Sequence, residues 1–94
     1  MSGTVTLRGW IAVPPDELAR LRPLLDEHVR LTRAEPGCLA FDVTESPERP
    51  GWFAVSEHFR DAAAFEAHQA RAAASPWGPA TRHLRRDFHR EDRP

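Results

Sequence analysis

Two side chains in this sequence pair proton-transfer chemistry with a placement that would let them use it: His68 and Glu57. An imidazole titrates near neutral pH, which suits it to general-base work. His68 shares a helical stripe with Phe65 and Ala72, so it should face a sheet. Glu57 alternates with Phe53, Val55 and Phe59, so it should face the helices. A carboxylate and an imidazole converging from opposite layers can form a base and its orienting partner. His68 would then take a substrate proton while Glu57 holds its tautomer. The same two groups also fit a core in which they satisfy each other or nearby backbone.

The aromatic residues supply the second ingredient, a dry pocket. Phe41, Phe53, Phe59 and Phe65 are first of all core residues, with a subset available as the wall of a site for an aromatic substrate. Trp77 lies in Ser75-Pro76-Trp77-Gly78-Pro79, a loop placed either to close over a pocket mouth or to anchor a helix end. His58 alternates onto the opposite face of its strand, toward an interface or solvent. Cys38 reads as a small buried filler. No two histidines show the i, i+4 spacing of a helical metal pair, so no metal site is expected. Phosphate loops, nucleophile elbows and dinucleotide fingerprints are also missing from the sequence.

Holding these groups requires alternating and helical segments in a definite order. Val5, Leu7, Ile11 and Val13 alternate with Thr6, Arg8, Trp10 and Ala12, which predicts a strand from Thr4 to Val13. Pro15-Asp16-Glu17 suits a helix start, and Leu18, Leu21, Leu25, Val29 and Thr32 carry the helix to about Ala34. Pro23 removes a backbone donor inside it and predicts a kink or split near Arg22. Cys38–Glu45 and Trp52–Phe59 alternate around a polar turn and read as a hairpin, with Leu39, Phe41 and Val43 on one face. Asp61 caps a second helix through about Ala74. A last strand follows from Leu84 to Arg90, with a frayed tail from Glu91 to Pro94.

The order β-α-β-β-α-β is the split βαβ arrangement of α+β, ferredoxin-like domains: a four-stranded antiparallel sheet with two helices on one face. A chain of 94 residues makes one such domain, with its core over about residues 4–90. The uncovered face would carry Trp10, Trp52, Ala54 and Ala40, an apolar patch best hidden by a second copy, so a homodimer through the open sheet face is expected. With net charge −1 and all 13 basic residues arginine, the chain has no basic excess for nucleic acid. A single cysteine rules out an internal disulfide. No run reaches the roughly 18 apolar residues of a membrane span, and no secretory signal opens the chain. These features point to a cytoplasmic protein without membrane or nucleic-acid partners.

The stretch from Arg33 to Val43, then Phe53-x-Val55-x-Glu57-x-Phe59-x-Asp61 and His68, resembles the antibiotic biosynthesis monooxygenase (ABM) domain. The resemblance runs from about Val5 to Phe88 and implies a dimeric α+β barrel. It also implies the chemistry of the characterised oxygenases of that family, which use no metal or flavin. Their phenol or hydroquinone substrate loses a proton, and the carbanion reacts directly with oxygen. A related branch degrades haem through a pocket Asn, Trp and His. Here His68 matches the helix histidine, but Phe59 stands where the tryptophan is usual and the chain has no asparagine, which counts against haem. Tyrosine, frequent in the family near the position of Phe41, is also missing, so no phenol of the protein can take part. The expected function is cofactor-independent monooxygenation of a hydroquinone- or polyketide-like aromatic. The alternative is a non-catalytic dimer that binds a small molecule or serves a structural role.

Overall fold

The computed structural model describes residues 3–94; Met1 and Ser2, the first residues of the expected domain, lie outside the described residues. Strand β1 spans Val5–Ala12, helix α1 Leu18–Arg33, β2 Cys38–Glu45, β3 Trp52–Phe59, α2 Ala62–Ala74, α3 Trp77–Thr81 and β4 Arg85–Asp92. The four strands lie in the order β2-β3-β1-β4, every neighbouring pair antiparallel. This is the α+β, ferredoxin-like arrangement that the alternation and helix stripes predict.

Apolar alternation decides which face the helices cover. Val5 and Ile11 of β1 and Phe53, Val55, Glu57 and Phe59 of β3 are buried on the inner face. Leu21 of α1 packs with Ile11, Val13, Phe53, Val55 and Leu84. Phe65 of α2 packs with Val5 and Phe59 in a second cluster. On the outer face the Trp10 and Trp52 rings stack with centroids 4.2 Å apart, and the Arg49 guanidinium lies 3.9 Å from the Trp52 ring. Gly51 ends the β2–β3 turn at φ +89°, where a Cβ would meet the Val13 carbonyl, and the Val13 amide donates to the Gly51 carbonyl at 2.7 Å.

Four local expectations need correction. Leu39 is not on the inner face with Phe41 and Val43: the β2–β3 register shifts between Cys38 and Ala40, and the extra residue stands 55% exposed. Pro23 does not split α1, which runs unbroken over Leu18–Arg33 with Pro23 on its exposed side. The proline-flanked segment after α2 is not a plain loop, since Trp77–Thr81 forms the short helix α3. Finally, β4 takes in Glu91 and Asp92, which pair with Thr6 and Val5, and the Arg93 amide donates to the Thr4 carbonyl at 2.9 Å. Pairing with a central strand overrides the polar composition of that tail.

Candidate functional site

The site is assembled where the end of α1, the middle of α2 and the inner face of the sheet meet. Asp61 starts α2 by accepting the Ala64 amide at 2.7 Å, and the stripe that follows buries Phe65 and His68. Gly37 lets α2 lie close, since a Cβ there would sit 2.2 Å from the Ala64 side chain. That close approach brings His68 against Glu35, in the turn that ends α1. Glu35 is held in this turn by its amide bond to the Thr32 carbonyl at 3.0 Å and its carbonyl bond from the Cys38 amide at 3.0 Å.

His68 is 3% exposed, and its Nδ1 lies 2.9 Å from Glu35 Oε1. The other Glu35 oxygen accepts from Arg71 Nε at 2.9 Å, one turn further along α2. Arg71 also donates to Thr32 Oγ1 at 2.8 Å, and that hydroxyl donates to the His28 carbonyl at 2.7 Å. Thus Glu35 is the group that orients His68. Glu57, assigned that task from the sequence, stands on the other side of the ring, with Oε1 3.6 Å from Nε2. That separation is too long for a normal hydrogen bond.

Electrostatics separates the two carboxylates. Burial, and then the charge of Glu35, pushes the Glu57 carboxyl up to about 7, and its buried Oε1 has no hydrogen-bond partner. Burial lowers His68 below the usual histidine range against the opposing pull of Glu35. At neutral pH the imidazole is therefore uncharged: Nδ1–H donates to Glu35, and Nε2 keeps a free lone pair. His28 is held down to about 4 by burial and by the neighbouring His68 and Arg71, and its buried Nδ1 is also unpartnered. The His28 ring stacks on Trp77 at 5.3 Å, meets Phe41 edge-on at 5.5 Å and lies 5.7 Å from the His68 ring.

These groups border a cavity of about 650 Å³ between helices and sheet. Its walls include His28, Phe41, Glu57, His68 and Trp77, and its floor crosses Leu7 and Ile11 to reach Phe88 on β4. Of the residues singled out from sequence, the fold brings Phe41, Glu57, His68 and Trp77 together here. Trp77 serves as a wall packed on the core, at the start of α3. The remaining three lie elsewhere. Phe59 and Phe65 fill the second core cluster, and Phe53 borders a smaller cavity of about 400 Å³ beside the Arg22–Glu45 ion pair. His58 is on the outer side of β3, across from Ala40 and Thr6. Cys38 is half-buried, and burial raises its thiol, which leaves it a poor nucleophile.

Sequence reading missed His28 and Glu35. His28 had a legible signal, because Leu21, Leu25, His28 and Thr32 follow one stripe at steps of four, three and four. Glu35 had none, since it sits in a turn without periodicity. Among the described residues no group of three or more His, Cys, Asp or Glu side chains is placed to hold a metal ion. Glu35 and Glu57 lie against opposite nitrogens of one ring, so they do not converge on a point. No helix among the described residues is long and apolar enough to cross a membrane.

The sequence profile of the antibiotic biosynthesis monooxygenase family matches residues 4–77. No curated protein matches the chain. Among solved structures, a Bacteroides thetaiotaomicron protein of unknown function shares the fold with a TM-score of 0.83 at 18% identity, covering 98% of this chain and 99% of its own. A Nitrosomonas europaea protein provisionally called an antibiotic biosynthesis monooxygenase gives 0.82 at 17% identity, over 98% and 91% of the two chains. A Deinococcus radiodurans protein with the same provisional name gives 0.70 at 29% identity, over 90% and 89%.

Proposed function

The chain belongs to the antibiotic biosynthesis monooxygenase family, and from that premise we propose that it is a cofactor-independent monooxygenase of hydroquinone- or polyketide-like aromatics, with His68 as its base. The observation that carries this reading is the Glu35–His68 pair: a buried, neutral imidazole held at Nδ1, with Nε2 turned toward a large cavity and an unpartnered carboxyl. Glu35 stabilises the imidazolium that forms when Nε2 accepts a proton. Phe41 and Trp77 offer flat apolar walls for an aromatic ring.

In the proposed reaction His68 removes a proton from the acidic carbon of an anthrone-like substrate or from the hydroxyl of a hydroquinone, and either anion carries negative charge on a ring carbon. The carbanion transfers its electrons to dioxygen and forms a C–O bond, giving a peroxide. Loss of the hydrogen that remains on that carbon, with cleavage of the O–O bond and one proton delivered to the departing oxygen, leaves a carbonyl and one water. One oxygen atom stays in the product and one leaves. Glu57, with its carboxyl near 7, is placed to return a proton to the departing oxygen. The same reading includes a homodimer through the outer sheet face, supported by the stacked Trp10 and Trp52 there.

Oxygen uptake by metal-free protein across a panel of hydroquinones and anthrones tests the reaction. Saturable uptake should fall at least about 100-fold in His68→Ala, the usual scale of a general base. Uptake no faster than autoxidation, or unchanged in the variant, would remove the assignment and leave a non-catalytic binding role.

A further inference from the structure

Two histidines border the cavity, and only one of them has a carboxylate to orient it. His68 is held by Glu35 at 2.9 Å. His28, on α1, is 7% exposed, and among the described residues no carboxylate lies within ion-pair distance of its ring. Its buried Nδ1 has no hydrogen-bond partner at all. The ring is nevertheless fixed in place. It stacks on Trp77 at 5.3 Å with the planes 12° apart, and it meets Phe41 edge-on. The Thr32 hydroxyl donates to the His28 carbonyl at 2.7 Å, which secures the helical turn that carries it. A buried polar group with a fixed position and no partner costs stability, so its presence in a cavity wall calls for a reason.

The rings of His28, Phe41 and His68 form a triangle with sides of 5.5, 5.7 and 5.8 Å. Two imidazoles at that spacing can address one small group between them, because each nitrogen reaches an oxygen at about 2.9 Å. Their surroundings drive them to different chemistry. Glu35 stabilises a proton arriving on His68. Burial, and then the neighbouring His68 and Arg71, hold His28 down to about 4, so it is too weak to take a proton at neutral pH. What a neutral imidazole keeps is one N–H. That N–H can donate to an oxygen gaining negative charge without giving up its proton.

We propose that His28 is a second catalytic residue, whose ring N–H donates to the substrate oxygen on which negative charge collects as His68 removes the proton. The role in turnover rests on the oxygenase reading; the donor itself does not. The donor stands in position before the charge develops, so no reorganisation is needed at that moment. The arrival of the anion also gives the unpartnered ring the bond it lacks in the empty protein.

The test uses 4-nitrophenol, a phenol whose ionisation in the cavity is read from its phenolate absorbance and which needs no turnover. His28→Phe keeps a ring against Trp77 and removes the N–H. The pKa of the bound probe should be higher in this variant than in the wild type by about one unit or more. Glu57, His68 and Arg71, the other charged or titrating groups near the ring, are common to both proteins, so the difference reports His28. At least one of His28→Gln and His28→Asn, which return an N–H donor, should recover the wild-type value. An unchanged pKa in His28→Phe, recovery in neither amide variant, or no binding of the probe would each overturn the proposal. If His28→Phe does not fold, a crystal structure of the wild type with 4-nitrophenol decides. The phenolic oxygen must lie within about 3.2 Å of a His28 ring nitrogen, and an oxygen placed elsewhere overturns the donor. In oxygen uptake His28→Phe should lower kcat about 100-fold with KM within about threefold, whereas a rise in KM alone would make His28 a wall residue and overturn its catalytic role. Uptake in the wild type with a probe that ignores His28 would remove this proposal and leave the oxygenase reading. A probe that responds to His28, without uptake in any protein, would remove the oxygenase reading and leave the donor standing.

Discussion

Phe59 and His68 touch, with ring centroids 4.9 Å apart, yet they belong to regions built on opposite terms. Around Phe59 the layer between sheet and helices is closed: Val5, Phe59 and Phe65 pack with no polar atom to satisfy. Around His68 the same layer opens into the cavity, and the buried atoms His28 Nδ1 and Glu57 Oε1 lack partners. Both regions are aromatic and buried. What differs is whether burial stabilises the fold or is a cost the fold carries. An apolar ring gains by leaving water, whereas an unpartnered carboxyl loses. Such a cost is what a site made to meet a ligand would show.

The comparison breaks most visibly at Phe59. Its side chain is 0% exposed, so Phe59→Ala should destabilise the protein by about 3–5 kcal/mol. Chemical denaturation would register this as a large drop in midpoint, and a loss under about 1 kcal/mol would mean that this region is not close-packed.

Across the boundary the sign should reverse. The Glu57 carboxyl rises from an ordinary 4.5 to about 7 in the folded protein, so stability is lost as pH rises through that window. Glu57→Gln should therefore stabilise the protein by about 2–3 kcal/mol at pH 8 and by almost nothing near pH 4. Thermal unfolding at the two pH values checks it; an equal change at both would place the effect outside the ionisation. His28 works in the other direction, its folded value of about 4 lying below an ordinary 6.5, so stability is lost as pH falls through that range. Between about pH 4.5 and 6.5 the Glu57 slope opposes those of His28 and His68, whose value burial also lowers, and the wild type should be less acid-sensitive there than the histidines alone would make it. Glu57→Gln should expose the combined slope of the two histidines.

The smallest effect on stability belongs to the aromatic pair outside both regions. Trp10→Glu on the outer face should change the stability of a single chain by about 1 kcal/mol or less, while the sedimenting mass falls from two chains to one. A wild-type mass of one chain would remove the proposed dimer.

Much of this contrast was legible in the residue order. Alternation placed Glu57 with Phe53, Val55 and Phe59 on the inner face, and the α2 stripe turned His68 inward with Phe65. Leu39 escaped the same logic, because a bulge adds one residue without any mark in the sequence. The cavity boundary was equally hidden. Phe41 and Phe59 alternate alike on neighbouring strands, but only Phe41 borders the open space. Which ring faces a void depends on how far the helices stand off the sheet at that point, and no local pattern encodes that distance.

By itself, the sequence determined the order of the four strands and the two long helices, the face each strand buries and the inward position of the histidine on α2. Periodicity carries those facts because side-chain direction follows from backbone geometry within one element. The tertiary structure alone decided that Glu35 rather than Glu57 orients His68, and that His28 joins them at the wall of one cavity. Each of those relations links residues of different elements, and it is fixed only when the layers pack and set the distance between them.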